Sequence, residues 1–169
     1  TNFFYNSPTN IFFQNRPVSN FLPNINGDLS SMQYTISPAL PEGLIFNNET
    51  GEISGIPVFL QENKNYKIQA ENDYGLVSYT LSIKIVEPPP QNISYEIVDE
   101  VFSRNIAISN YTPSTIGNVD SFEIDPQLPN GLTFNTQTGE ISGVPFELRS
   151  RREFTVSAIN SSGSVSYSF

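Results

Sequence analysis

Cysteine, histidine and tryptophan are absent from the 169 residues, and methionine occurs once. Without cysteine, neither a disulfide bond nor a Cys-His catalytic pair can form. Without histidine, a Ser-His-Asp triad is excluded, and zinc would have only carboxylate ligands, which is an unusual donor set for that metal. These absences exclude the common hydrolytic sites, so we expect a protein that is not an enzyme and has no catalytic or cofactor-binding residues.

Basic residues are also scarce: 8 lysines and arginines stand against 17 acidic residues, for a formal net charge of −9. Nucleic acid and anionic membranes attract proteins with excess positive charge, so neither is expected as a partner. The one basic cluster, Arg149, Arg151 and Arg152, is interpreted as a solvated loop or strand end. No apolar run approaches membrane-spanning length, and Thr1 does not begin a signal-peptide pattern, so no membrane insertion is expected in this segment.

An apolar pattern with helical spacing does not persist anywhere in the sequence. Strict alternation of apolar and polar residues instead runs through 66–72 and 76–86, which predicts a hairpin of two long strands. Turn-forming residues separate this hairpin from other short alternating stretches. The fold class is therefore predicted to be all-β. Shorter strands are predicted near 10–14, 32–37, 44–46 and 52–54.

One stretch of the sequence occurs twice. LPEGLIFNNETGEISGIP at 40–57 returns 88 residues later as LPNGLTFNTQTGEISGVP at 128–145, with 13 of 18 positions identical. The chain is therefore two copies of one domain. The motif predicts two short strands joined by a tight turn, and backbone geometry is sufficient to explain its invariance. Its structural residues are predicted to be Gly43, Phe46, Gly51, Ile53, Gly55 and Pro57 in the first copy and Gly131, Phe134, Gly139, Ile141, Gly143 and Pro145 in the second.

Proline marks the predicted domain boundaries, because it lacks an amide donor and interrupts strand pairing. Thr1 to Ile11 can be aligned with the stretch that leads to Ile93, which makes the first residues the tail of a preceding strand. The same alignment predicts a loop around 110–120 that is six residues longer in the second copy. Both ends are interpreted as cuts in a longer array. The predicted bounds are 1–7 for the tail or linker, 8–87 for domain 1, 88–91 for a proline-rich linker, and 92–169 for domain 2 with an incomplete last strand.

The combination LPxGLxFNxxTGxISGxP, then an alternating strand that ends in Ala-x-Asn, then Gly and another alternating strand, closely resembles the family called Putative Ig domain. Its members are cadherin-like and Ig-like β-sandwiches found as tandem repeats in large surface proteins. The resemblance implies two seven-stranded Greek-key β-sandwiches arranged end to end, with a role in adhesion or as a spacer. Cadherins proper hold successive domains with calcium. The acidic motifs for this are missing from the junction VEPPPQNI at 86–93.

The carboxylates include candidate metal ligands and a candidate glycosidase pair. Asp28, Asp73 and Asp120 lie in oxygen-rich loops of the kind that calcium uses, but none has enough regularly spaced carboxylates. No metal or cofactor is therefore expected, and calcium is the alternative. Glu52 and Glu140 recur in the motif, but they belong to different copies and are expected to face solvent rather than act together.

N-glycosylation sequons are a further kind of candidate site. They occur at Asn48, Asn92, Asn110 and Asn160. Asn48 lies in a predicted tight turn, and Asn92 lies at the predicted junction. If the chain passes through a glycosylating pathway, we expect both of these residues to carry glycans.

Two functional hypotheses follow for an extracellular or cell-surface protein. The first is a structural or adhesive repeat module whose partners are neighbouring repeats or further copies, joined end to end. The alternative is an adhesin module that binds a ligand or carbohydrate through exposed aromatic residues, with Phe59, Tyr74 and Tyr111 as the candidates. A spacer should keep the same features in both copies, whereas a binder should concentrate unusual residues in one.

Overall fold

The computed structural model describes residues 2–5, 10–26, 31–97 and 101–169, so the candidate metal ligand Asp28 lies outside the described residues. Within these ranges the regular structure is entirely β, which confirms the predicted class. The strands are β1 (Phe3–Tyr5), β2 (Ile11–Phe13), β3 (Val18–Phe21), β4 (Pro23–Ile25), β5 (Gln33–Ser37), β6 (Leu44–Phe46), β7 (Ile53–Gly55), β8 (Gln61–Asn72), β9 (Gly75–Val86), β10 (Gln91–Tyr95), β11 (Pro113–Ile116), β12 (Ser121–Asp125), β13 (Leu132–Phe134), β14 (Ile141–Gly143), β15 (Thr155–Asn160) and β16 (Gly163–Ser168).

The chain divides into two compact units, Thr1–Glu87 and Pro88–Phe169. In the first unit, one sheet has the order β2-β9-β8-β5, with β2 parallel to β9 and the other pairs antiparallel. The second layer contains β3-β7-β6 together with the pair β1-β4. Only Leu22 separates β3 from β4, so these two act as one interrupted strand between β7 and β1. The hairpin β6-β7 lies in the opposite layer from β5 and β8, which gives the Greek-key connection.

The core of the first unit lies between these two layers. Tyr66 and Ile68 of β8 are fully buried, as the alternating pattern predicts, and Ile53 is fully buried on the opposite layer. Three aromatic rings, from β1, β2 and β3, pack together in this core. The Tyr5 and Phe21 rings stack at 5.3 Å, and Phe12 meets Phe21 edge-on at 5.2 Å.

The second unit repeats this plan with shorter strands. One sheet has the order β12-β15-β16, and the opposite layer contains β13-β14 and β10-β11. Tyr111, just before β11, bridges Ile141 of β14, and the amide of Ile108 donates to the carbonyl of Gly143 at 3.0 Å. The buried core residues are Ile93, Tyr95, Tyr111, Phe122, Ile141, Val156 and Ala158.

The structure relates the first strands of the two units by a spacing of 90 residues rather than 88. Tyr5 pairs with Pro23 in the first unit, and Tyr95 pairs with Pro113 in the second. Both tyrosines donate a hydrogen bond to a motif carbonyl, Gly51 or Gly139. The same spacing relates Phe12 to Phe102, Asn15 to Asn105 and Phe21 to Tyr111.

This correspondence corrects two predictions. Phe3–Tyr5 contributes buried side chains to the first core and is the counterpart of β10, so it begins the first unit and is not the tail of a preceding strand. The loop around 110–120 is not six residues longer: 18 positions lead from Tyr5 to Pro23 and also from Tyr95 to Pro113, and 11 positions lead from Pro23 to Tyr34 against nine from Pro113 to the equivalent Phe122. The first unit therefore starts before residue 8, and the predicted bounds 88–91 and 92–169 stay predictions.

Candidate functional site

The repeated motif forms a β-hairpin in each unit, and its polar residues bind backbone. In β6-β7, Phe46 lies opposite Ile53, as Phe134 lies opposite Ile141 in β13-β14. The side-chain oxygen of Asn47 accepts from the amides of Glu49 and Thr50 at 2.8 and 3.1 Å. Asn135 does the same with Gln137 and Thr138 at 2.9 and 3.1 Å. The most repeated part of the sequence is therefore an Asx-type turn that fixes the chain reversal.

Glycines of the motif bring backbone segments too close for a side chain. Gly43 has φ of 90°, and a Cβ there would collide with the carbonyl oxygen of Ile56. Gly131 has φ of 95° and meets Val144 in the same way. The backbone contact is direct, since the amide of Ile56 donates to the Gly43 carbonyl at 2.8 Å. Only glycine satisfies both the positive φ and this approach.

Two tyrosines that sequence reasoning missed hold the motif against the first strand of each unit. The Tyr5 hydroxyl donates to the Gly51 carbonyl, and the Tyr95 hydroxyl donates to the Gly139 carbonyl at 2.6 Å. Burial raises the pKa of both hydroxyls above their ordinary value, because it disfavours the charged phenolate. A signal was present in the sequence: VSNFLP at 18–23 and ISNYTP at 108–113 repeat at the same 90-residue spacing as the tyrosines.

The candidate carboxylates do not converge. Asp73 and Asp120 are exposed, and the described residues contain no group of three or more acidic, histidine or cysteine side chains that could hold a metal ion. Asp73 lies in a turn in which the side-chain oxygen of Asn72 accepts a hydrogen bond from the amide of Tyr74 at 3.0 Å. This hydrogen bond gives the loop a structural role. The side chain of Glu140 accepts from Asn110 at 3.2 Å. Glu52 and Glu140 are half-buried, less exposed than expected, and they belong to different units.

The four sequons differ in accessibility. Asn48, Asn92 and Asn110 are exposed, and Asn92 has the positive φ of 52° that suits asparagine. Asn160 is only 5% exposed, and its side-chain nitrogen donates to the carbonyls of Pro88 at 2.9 Å and Asn118 at 3.2 Å. That nitrogen is the atom a glycan would occupy. A glycan on Asn160 would replace one of the two hydrogens on this nitrogen and break at least one of these hydrogen bonds, so the folded unit disfavours this predicted site.

The aromatic candidates do not form one binding surface. Tyr111 is 4% exposed and belongs to the second core, which contradicts its expected place on a surface loop. Phe59 and Tyr74 are 60% and 81% exposed. Phe59 lies just before β8, and Tyr74 lies in the turn after it, so the 12 residues of that strand separate them by about 40 Å at roughly 3.3 Å per residue. A small ligand cannot contact both.

The loop that precedes the long hairpin exposes apolar side chains in both units. In the first unit these are Ile56, Val58 and Leu60, which correspond to Val144, Phe146 and Leu148 in the second. The adjacent prolines, Pro57 and Pro145, are buried, and their carbonyls accept from Asn15 at 2.9 Å and Asn105 at 2.7 Å. The exposed loop therefore has a fixed backbone in each unit.

The basic cluster is solvated, in agreement with its interpretation as a loop or strand end. Arg149, Arg151 and Arg152 are exposed, and Arg149 forms an ion pair with Glu147 at 2.6 Å. Hydrogen bonds from Asn130 and Arg149 lower the pKa of the Glu147 carboxyl. Separately, the described residues include no helix of the length and hydropathy needed to span a bilayer.

The family model described as Putative Ig domain matches the chain twice, over residues 3–87 and 84–169. No curated protein sequence matches the chain. Together the two family matches run from the first strand of the first unit to the end of the second.

The chain is also similar to three solved structures, each with a TM-score below 0.5. Murine CEACAM1b has 12% sequence identity and a TM-score of 0.47, covering 99% of this chain and 97% of that one. Drosophila OTK extracellular domains 3–5 have 14% identity and a TM-score of 0.47, covering 82% of this chain and 49% of that one. A putative alpha-galactosidase from Bacteroides fragilis has 28% identity and a TM-score of 0.38, covering 50% of this chain and 17% of that one. The chain thus spans about half of the second structure and about a sixth of the third, and no activity or partner is transferred from any of them.

Proposed function

The chain belongs to the Putative Ig domain family, in two tandem copies, and from this premise we propose that it is a non-enzymatic structural and adhesive repeat module of an extracellular or cell-surface protein. Its partners in this proposal are neighbouring repeats or further copies, joined end to end into a spacer or fibre. No nucleic acid and no resident cofactor takes part.

One observation carries the proposal: the residues repeated between the units are those that fix the backbone. Asn47 and Asn135 make the same turn, and Tyr5 and Tyr95 make the same bond to a motif carbonyl. The exposed aromatics, by contrast, are not repeated, since Glu147 and Ser162 stand where the first unit has Phe59 and Tyr74. A spacer needs the fold in every copy and needs no common surface side chain.

The alternative, a ligand- or carbohydrate-binding adhesin module, has lost its main support. It rested on an enlarged loop in the second copy with Tyr111 exposed, but the loop is not enlarged and Tyr111 is buried. Phe59 and Tyr74 remain exposed and lie far apart along one strand. Neither forms the clustered aromatic surface that a sugar site requires.

Electron microscopy of native material, with the chain mass measured on a denaturing gel, tests the structural proposal. We expect regular filaments whose axial repeat is near two domain lengths, because each chain contributes two units. Dispersed single chains of unmodified mass would contradict the proposal, and a glycan and ligand screen would then address the adhesin alternative.

Peptide mapping after enzymatic deglycosylation tests the extracellular assignment. We expect modified Asn48 and Asn92 in native material, since both are exposed, and an unmodified Asn160, since its side-chain nitrogen is buried and donates two hydrogen bonds. Asn160 serves as the internal control in the same sample. A mass shift of zero across all four sequons would contradict the prediction that Asn48 and Asn92 carry glycans.

A further inference from the structure

The turn between β8 and β9 carries acidic and apolar side chains that point away from the core of the first unit. Asp73 and Tyr74 form the turn, and both are exposed. Glu71 and Leu76 lie opposite each other in the flanking strands. Because Ala70 is buried on the other face of β8, Glu71 and Leu76 face solvent, where Leu76 is 51% exposed. We call Glu71, Asp73, Tyr74 and Leu76 the acidic tip.

The equivalent hairpin end of the second unit has a different surface on the same backbone. Asn160 pairs with Gly163 there, as Asn72 pairs with Gly75 in the first unit. The residues that correspond to the acidic tip are all uncharged: Ile159, Ser161, Ser162 and Ser164. The fold of the hairpin end therefore does not require the side chains of the acidic tip, and the chain carries this tip once.

The loop that precedes β15 in the second unit combines exposed apolar side chains with exposed arginines. Phe146 and Leu148 are 56% and 81% exposed, and Arg151 and Arg152 after them are exposed as well. Residues 62–65, at the equivalent positions next to β8, are exposed in the first unit too, so exposure is a property of this loop in both units. We call Phe146, Leu148, Arg151 and Arg152 the basic loop.

Charge distinguishes the loops of the two units. The stretch 144–153 contains three arginines and two glutamates, a net charge of +1 in a chain whose net charge is −9. The equivalent stretch 56–65 contains one lysine and one glutamate and is neutral. It keeps the apolar side chains, since Val58 and Leu60 are 37% and 51% exposed. The basic loop, like the acidic tip, therefore occurs once in the chain.

The acidic tip and the basic loop complement each other in charge, and both carry exposed apolar side chains. Contact between two tips would bring carboxylates together, and contact between two loops would bring arginines together, so both like pairings are disfavoured. A tip against a loop places opposite charges at the rim of an apolar contact, which is the usual arrangement of an interface. The favourable pairing is therefore heterologous, with a different surface from each molecule.

We propose that the acidic tip of one molecule binds the basic loop of a second copy of this chain. The two apolar side chains of the tip pack against those of the loop, and its two carboxylates pair with the arginines. Each molecule has one surface of each kind, so a bound pair keeps one tip and one loop free and association continues. This inference rests on the proposed association between copies, and it names the two surfaces that meet.

Two variants of the chain, each defective in one surface, test the pairing. The tip variant carries Tyr74→Ser and Leu76→Ser, which are the residues that the second unit has at these positions. The loop variant carries Leu148→Ser and Arg151→Glu. Leu60→Ser, at the position of the first unit that corresponds to Leu148, is the matched control. Sedimentation velocity is measured at rising concentration for the unaltered chain, for each variant alone and for an equimolar mixture of the tip and loop variants.

We expect larger species at higher concentration from the unaltered chain and from the control, and association at least about tenfold weaker from each surface variant alone. The mixture should regain one contact of unaltered strength, because the tip variant supplies an intact loop and the loop variant supplies an intact tip. Its complex should stop at two chains, since the remaining surfaces are defective. Full association by either surface variant alone, or a mixture no stronger than its components, would overturn the proposal.

Exchange of the charges tests the polar part of the contact. Glu71→Arg with Asp73→Arg should weaken association by about tenfold, and so should Arg151→Glu with Arg152→Glu, because each places like charges together. The chain that combines all four substitutions should associate within about threefold of the unaltered chain, and higher salt should weaken both. A combined variant as weak as either parent would contradict the assigned ion pairs, since lost folding in one surface cannot be rescued by the other.

The outcomes separate this inference from the proposed function. If native material forms filaments but the tip and loop variants associate like the unaltered chain, the copies meet through other surfaces; the inference fails and the proposed function stands. An unaltered chain that stays a single molecule up to roughly millimolar concentration would also overturn the inference. The absence of filaments in native material contradicts the proposed function, whereas sedimentation alone decides whether the tip binds the loop.

Discussion

The two units share one layer almost completely and differ in the other. The layer with the repeated motif has matching hairpins, β6-β7 and β13-β14, with the same register. The opposite layer has four strands in the first unit and three in the second. Its central strands β8 and β9 have 12 residues each, whereas β15 and β16 have six. The motif hairpin thus has the same register in both units, and the difference lies in the other layer, where the sequence ends one residue after β16.

This difference predicts unequal stability. The positions equivalent to Ile83 and Ile85, which are buried in the first unit, lie beyond Phe169, the last residue of the sequence. Complete burial of such a side chain contributes roughly 1.5–3 kcal/mol. In the 169-residue chain, the first unit should therefore unfold at higher denaturant concentration than the second, although both contain the same motif.

The largest change in the free energy of unfolding is expected when a side chain that is completely buried only in the first unit is removed. Tyr66→Ala should destabilise the first unit by about 3–5 kcal/mol, because it leaves a cavity at a fully buried position. Phe154→Ala at the equivalent half-buried position should cost clearly less. Urea unfolding followed by resonances assigned to each unit measures both, and Tyr74→Ala at an exposed site is the control. Equal losses would mean that the two cores are not different at this position.

Substitution of the motif glycines should instead affect both units alike. Gly43→Ala and Gly131→Ala should each cost roughly 1–3 kcal/mol, because both have positive φ and both would press a methyl group against a backbone carbonyl. Thermal unfolding of the single variants measures the two losses. The exposed Ser94→Ala is the matched surface control. A cost confined to one unit would break the equivalence of the two motif hairpins.

Removal of the tyrosine hydroxyls tests the other shared contact. Tyr5→Phe and Tyr95→Phe should each destabilise their unit by about 1–2 kcal/mol, since the carbonyls of Gly51 and Gly139 lose a buried donor. Chemical denaturation of the two variants gives the values. Tyr74→Phe, with an 81% exposed ring, should change stability by less than about 0.5 kcal/mol. If Tyr5→Phe and Tyr95→Phe change the free energy of unfolding no more than Tyr74→Phe does, the hydrogen bonds to Gly51 and Gly139 do not stabilise the units.

Alkaline pH should produce a smaller and graded difference. Burial raises the pKa of Tyr5, Tyr34 and Tyr95, so the folded state holds these protons more tightly than the unfolded state. The resulting stability is complete below the unfolded pKa near 10.0 and is lost as pH rises toward the folded pKa, by about 1.4 kcal/mol per strongly shifted group at pH 11. The first unit has Tyr34, whose pKa burial also raises, in addition to Tyr5 and should lose more, and urea midpoints between pH 9 and 11 measure this. A urea midpoint that rises between pH 9 and 11 would contradict the prediction that the folded state raises the pKa of these tyrosines.

The alternating strands were predictable because periodicity alone places their side chains. Tyr66, Ile68 and Ala70 are buried as predicted, and the strand over 44–46 has the predicted bounds. The motif glycines were also recognisable, since their identity in both copies indicates a backbone requirement. In each case the signal is local, and no distant contact is needed to interpret it.

The strand near 10–14 was predicted and is present as β2, but the strands over 18–25 and 113–116 were missed because their signal is weak and lies in a different register. VSNFLP contains little alternation and a proline, so it does not read as a strand, and the 88-residue spacing of the motif hides its match to ISNYTP. Tyr111 was assigned to a loop for the same reason. Its burial depends on the bridge to Ile141, a contact 30 residues away that periodicity cannot reveal. The hydrogen bonds of Asn160 likewise depend on Pro88 and Asn118, which are distant along the chain.

Because Asn160 is buried in the folded second unit, glycan occupancy at this sequon would depend on how fast that unit folds. Its side-chain nitrogen can accept a sugar only while the second unit is still open, whereas Asn48 stays accessible after folding. The ratio of occupancy at the two sites therefore compares the rate of glycan transfer with the rate at which the second unit closes. If the chain passes through a glycosylating pathway, slower closure in a destabilised variant would appear as added mass at Asn160.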